Sequence, residues 1–148
     1  MRKTILIAAA AALAATALGA QAQNATSAAG RWKTVDDETG KVKSIVEITQ
    51  AANGSLQGKV VEVLQSDKGP NPVCDKCTGA NKDKPIQGMT ILWGLKPDGA
   101  GKWTGGQVLD PAKGKTYKSK VELKAGGSKL GMSGCVAFIC REQTWIRE

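Results

Sequence analysis

Four cysteines carry the most specific chemical pattern in the chain. They fall into two close pairs, Cys74-x-x-Cys77 and Cys135-x-x-x-x-Cys140. The spacing admits disulfides, a four-cysteine zinc site or a redox pair. In an oxidising compartment thiols pair, and Cys135 and Cys140 flank a short connection between two strands, where bridging is easy. Two local disulfides are the favoured expectation, each stabilising by about 2 kcal/mol on the chain-entropy account. Cross-pairing comes next, since four cysteines allow three connectivities. Zinc fits the ligand count and the first spacing, but the compartment opposes it, and no acidic side chain or histidine stands ready to orient the ligands. A redox pair needs an environment such as a helix N-terminus to lower a thiol pKa. Cys74-Asp75-Lys76-Cys77 lies instead in a segment holding Pro70, Pro72 and Pro85. Haem attachment fails at Thr78, where a histidine is required.

The chain contains no histidine. This removes Ser-His-Asp and Cys-His catalysis, His-ligated metals and the usual acid–base group near neutral pH. The carboxylate run Asp36-Asp37-Glu38 precedes Gly40 and reads as a solvated turn. Asp110-Pro111-x-x-Gly114 is another turn formula: Pro presets φ, Asp bonds the backbone and Gly takes the special dihedral. No catalytic residue, metal ligand or cofactor is expected, and the protein reads as non-enzymatic.

The chain has 21 basic and 13 acidic side chains, a net charge of +8 dominated by lysine. Lys118, Lys120 and Lys124 alternate with apolar neighbours, so they project from one strand face. They could meet an anionic envelope polymer, although a solvated surface is the plainer reading. Nucleic acid is excluded as a partner: arginines are few and no aromatic run offers a stacking platform.

These side chains must be positioned by elements that begin after an export signal. Arg2 and Lys3 form a short positive region. A charge-free stretch from Ile5 to Leu18 follows, then Ala20-Gln21-Ala22 with small residues where a signal peptidase reads. The apolar stretch is too short to span a bilayer, which takes about 20 residues. Residues 1–22 are expected as a signal peptide cut near Ala22, 23–29 as a disordered lead-in, and 30–148 as one domain in the periplasm or outside the cell.

That domain reads as all-β. Apolar residues alternate with period two in short runs separated by Gly, Pro, Asn and Asp. Strands are expected at 31–35, 42–50, 56–64, 87–95, 102–109, 116–124, 129–135 and 140–147. An extended loop is expected over 65–85. The clearest alternation puts Tyr117, Ser119, Val121 and Leu123 on one face. In the second strand Val42, Ser44, Val46 and Ile48 share a face. Eight strands joined mostly by short turns close most simply into an antiparallel up-and-down barrel, which removes both sheet edges. A two-sheet sandwich is the rival, disfavoured because Greek keys need long connections.

Gly30-x-Trp32 at the start and Trp145-x-Arg147 at the end resemble the lipocalin-like (calycin) signature. In that family the Trp plugs one barrel end and a basic side chain packs across it, roles that fall on Trp32 and Arg147. A wider series runs through Cys74-x-x-Cys77-x-Gly79, Lys84-Pro85-Ile86-x-Gly88-Met89 and Trp103-x-Gly105-Gly106. It continues with Leu109-Asp110-Pro111-x-x-Gly114-Lys115-x-Tyr117 and Gln143-x-Trp145-x-Arg147. It resembles the exported bacterial family catalogued as domain of unknown function 2147. The resemblance implies a lipocalin-like barrel in the cell envelope and brings no catalytic residues. An eight-stranded barrel can hold one small ligand or be filled by side chains. The expected function is binding of a small apolar or amphipathic molecule in the barrel. The alternative is an envelope interaction module with a filled barrel.

Overall fold

The computed structural model describes residues 26–148. The expected signal peptide, 1–22, and the start of the lead-in lie outside the described residues. Eight strands follow in chain order: β1 Gly30–Val35, β2 Val42–Gln50, β3 Leu56–Val63, β4 Thr90–Pro97, β5 Lys102–Asp110, β6 Lys115–Lys124, β7 Lys129–Val136 and β8 Ile139–Arg147. Each pairs antiparallel with the next, and β1 with β8 closes the barrel. The closure is short, through Trp32 opposite Arg147 and Lys33 opposite Ile146. The up-and-down barrel is the expected architecture, for the expected reason. Consecutive short turns leave each strand beside its predecessor, and β1 meets β8 to close the ring, although only Ile146 and Arg147 of β8 pair with β1.

Strand ends fall within one residue of the sequence expectation, except those of β4. This strand starts at Thr90 and not at 87, and runs to Pro97. Gly88 has φ of 91°, and its N–H donates to Val60 O at 2.6 Å, while Val60 N–H donates to Met89 O at 2.9 Å. The left-handed residue bends the chain out of the ladder just before β4 begins.

Period two also placed the faces. Ser119 and Val121 are buried in β6, with Tyr117 and Leu123 half-buried, whereas Lys118, Lys120 and Glu122 are exposed. In β2, Val46 and Ile48 are buried, as is Ile45, which sits at a register slip between Ile45 and Val46. Strict alternation misses such a position because a bulge changes which face a residue presents.

One end of the barrel is closed by indoles. Trp32, Trp103 and Trp145 are all buried. Their N–H groups donate to Ala28 O at 2.9 Å, Gly54 O at 3.1 Å and Gln143 Oε1 at 3.3 Å respectively. Each large apolar body is thus buried without stranding its polar atom. The segment expected as a disordered lead-in, 23–29, is packed from Ser27 to Ala29. Ala28 is fully buried, and Arg147 holds the carbonyls of Ser27 and Ala29.

Candidate functional site

The closed end is built around Arg147. Its guanidinium carbon lies 4.2 Å from the Trp32 ring centroid. Its N–H groups donate to Gly127 O at 2.7 Å, Ala29 O at 2.9 Å and Ser27 O at 2.8 Å. One planar cation therefore ties the first strand, the last strand and the β6–β7 turn together. Arginine suits this position because its fork reaches three acceptors while its face stacks on an indole. Burial disfavours the charge and lowers the Arg147 pKa from its ordinary value, and the carbonyl acceptors and the ring compensate.

The opposite end carries the long β3–β4 connection, which is not the extended loop expected from its prolines. It folds on itself as a small hairpin. Cys74 N–H donates to Lys84 O at 2.8 Å, Asp83 N–H to Cys74 O at 2.9 Å and Ile86 N–H to Pro72 O at 3.0 Å. Val73 and Pro85 form a single bridge. Cys74 and Cys77 are disulfide-bonded, buried and part of the main apolar cluster. Cys74 Sγ lies 3.2 Å from Pro111 O, which seats the stapled turn against the β5–β6 connection. A hydrogen bond from Lys68 holds the Asp75 carboxyl below its ordinary pKa.

The second pair, Cys135 and Cys140, is also disulfide-bonded, across directly opposed positions of β7 and β8 with Cα atoms 4.0 Å apart. Both bridges are therefore local, and the cross-paired and zinc alternatives do not match this arrangement. Replacing Cys135 and Cys140 together with alanine is expected to cost about 2 kcal/mol of unfolding free energy, the loop-closure entropy of a short ring. Urea unfolding monitored by tryptophan fluorescence reads this directly.

The lumen is filled. Trp32, Val46, Ile48, Leu56, Leu92 and Leu130 are at most 1% exposed and belong to one contiguous cluster that spans the barrel. A candidate ligand seat among the described residues lies outside it. A depression of about 550 Å³ opens between the second half of the β3–β4 connection and the outside of β4. Its walls include Asn81, Lys84, Gln87, Met89 and Trp93. Met89 is 6% exposed and also belongs to the core cluster, so the groove floor is continuous with the barrel interior. Trp93 is half-buried. Sequence reasoning missed this groove, because it arises from residues of the folded-back connection meeting a strand that follows it. The adjacent Lys84-Pro85-Ile86-x-Gly88-Met89 motif was the one available signal.

Asp36 and Asp110 bond the backbone of their own turns. Asp36 accepts hydrogen bonds from Glu38 N–H, Thr39 N–H and Thr39 Oγ1–H, and these bonds, those of Thr39 foremost, lower its pKa below the ordinary value. Asp110 caps its own turn through Ala112 N–H at 3.0 Å. Of the three outward lysines, Lys124 is ion-paired with Glu142. Among the described residues, Lys118 and Lys120 have no carboxylate within 4.0 Å.

A closed eight-stranded antiparallel up-and-down barrel is a lipocalin-like fold. A lipocalin-family protein of known structure, HP1028 from the human pathogen Helicobacter pylori, superposes with a TM-score of 0.71 at 18% identity, covering 84% of each chain. The model of the domain of unknown function 2147 family, uncharacterised proteins conserved in bacteria, matches residues 30–147, and the chain belongs to that family. No curated protein matches the sequence.

Proposed function

We propose that this is an exported, non-enzymatic binding protein that takes a small amphipathic molecule in the groove beside Trp93. The observation that carries the reading is that groove. Its volume falls in the range of small-molecule sites, about 300–1,000 Å³. It offers apolar contact from Met89 and Trp93 and polar groups from Asn81, Lys84 and Gln87 at its rim. Lys84, which has no carboxylate within 4.0 Å among the described residues, suits a ligand with an anionic or strongly polar head. Export is supported by the N-terminal residue pattern and by two disulfides, which persist in oxidising compartments. That pattern supports a cut near Ala22 and a periplasmic location. The chain has no histidine, and the groove walls among the described residues include no carboxylate, so neither offers support for acid–base catalysis there.

Titration with an anilinonaphthalene sulfonate, an amphipathic anion, tests the seat. Saturable binding is expected, weakened about tenfold by Trp93→Ala, the loss of roughly 1.4 kcal/mol of contact. Binding that survives Trp93→Ala and Lys84→Glu but disappears in Phe138→Ser contradicts this seat. The filled lumen favours a second reading, an envelope interaction module whose barrel is only a scaffold; unsaturable binding in the wild type supports it.

A further inference from the structure

The β7–β8 hairpin ends in Val136-Ala137-Phe138-Ile139, and this turn breaks the usual rules for such a position. Two-residue hairpin turns favour Asn and Gly, which tolerate positive φ. Here Ala137 takes φ of 53°, a conformation alanine adopts only at a cost. Phe138 is 92% exposed, Ile139 71% and Val136 64%, the three most exposed large apolar side chains among the described residues. Contiguous apolar surface of this kind marks a site of contact with a protein or a membrane. The Cys135–Cys140 disulfide immediately below the turn holds the two strands together at the base of the tip.

The charges around the tip select the partner. Lys118 stands directly opposite Cys135 on the neighbouring strand, and Lys120 opposite Ser133. Both are exposed and without a carboxylate partner among the described residues. Two carboxylates on the flanking elements are ion-paired, Asp37 with Arg141 at 3.4 Å and Glu142 with Lys124, while Glu38 beside Asp37 is exposed. An apolar tip thus projects beside two free cations.

We propose that this stapled tip docks the protein on a bilayer surface that contains anionic lipid. Phe138 and Ile139 enter the headgroup boundary, and Lys118 and Lys120 lie over lipid phosphates. Apolar insertion combined with basic side chains near an anionic surface is how peripheral proteins gain reversible membrane affinity. The docking site is separate from the Trp93 groove, so either reading can fail without the other.

The barrel is complete within residues 30–147, so the chain from Gln23 onward is the form to test. Co-sedimentation is measured with vesicles of phosphatidylcholine alone and with vesicles of equal parts phosphatidylcholine and phosphatidylglycerol. Binding is expected to the mixed vesicles, falling about tenfold in Phe138→Ser and by a similar factor in Lys118→Glu/Lys120→Glu. Both sets alter exposed side chains, and near-ultraviolet circular dichroism verifies that the fold is kept. In Phe138→Trp, the emission of the added indole shifts to the blue when mixed vesicles are present. The proposal is overturned if neither vesicle sediments the protein. It is equally overturned if Phe138→Ser leaves vesicle binding unchanged, or if the tip instead holds two copies together, seen as a Phe138-dependent dimer in sedimentation velocity without vesicle binding.

Discussion

Trp32→Ala is expected to lower the unfolding free energy by about 3–5 kcal/mol, the range for truncating a buried indole. Trp32 is fully buried at the closed end, and its removal opens a cavity under Arg147 as well as deleting apolar contact. Arg147→Ala is expected to cost about 2–4 kcal/mol. It strips the donors from the carbonyls of Ser27, Ala29 and Gly127, each a loss of roughly 1 kcal/mol, and removes the cation above the ring. Arg147→Lys recovers only part of this, because an ammonium neither stacks as a plane nor reaches three acceptors in a fork. The two residues should couple by about 0.5–2 kcal/mol in a double-mutant cycle. Urea unfolding of the four proteins gives that number, and strict additivity would refute a direct Trp32–Arg147 interaction.

The second large effect belongs to Gly114, at the other end of the barrel. Its φ is 66°, and a Cβ there would meet Lys76 O at 2.0 Å and Lys76 C at 2.3 Å. Both contacts are backbone, so no side-chain rotation relieves them. Gly114→Ala must pay about 1–2 kcal/mol for the left-handed backbone and must also push the stapled connection off the β5–β6 turn. A total of about 2–4 kcal/mol is expected. The displaced connection should then expose Cys74–Cys77 to reductant, and alkylation after mild reduction should label these cysteines faster than in the wild type. Because the same connection forms the groove wall from Asn81 to Met89, probe affinity at Trp93 should fall as well. Gly79→Ala is the control, since it has similar φ, 61°, with no atom within 4 Å. It should cost only the backbone share and leave the disulfide protected.

The barrel was legible because its information is local. The alternation of Tyr117 to Lys124 states which face is inside, and Gly, Asn and Asp-Pro steps state where strands stop. The resemblance at Gly30-x-Trp32 and Arg147 also placed two residues that meet in space although they lie at opposite ends of the sequence. The β3–β4 connection was not legible. Its hairpin is held by one bridge, Val73 with Pro85, and by bonds such as Cys74 N–H to Lys84 O, none of which leaves a side-chain period. The groove was hidden for the same reason, since Lys84 and Trp93 come together only after the connection folds back. Phe138 was visible as an apolar residue between two cysteines. Its exposure could be known only once the turn proved to be two residues long, with the strands pairing up to Val136 and Ile139.

The filled lumen also sharpens what binding means in this barrel. A ligand inside would have to displace Leu92, Leu130 or an indole, each a well-packed buried group. A ligand at Met89 and Trp93 displaces only water. Native mass spectrometry of the protein isolated from its own host, as wild type and as Trp93→Ala, therefore tests the binding reading most directly. A co-purifying molecule of small mass on the wild type, lost from Trp93→Ala while the two disulfides stay intact, is the predicted result. Repeatedly ligand-free wild-type spectra, or a ligand that Trp93→Ala retains in full, would contradict it.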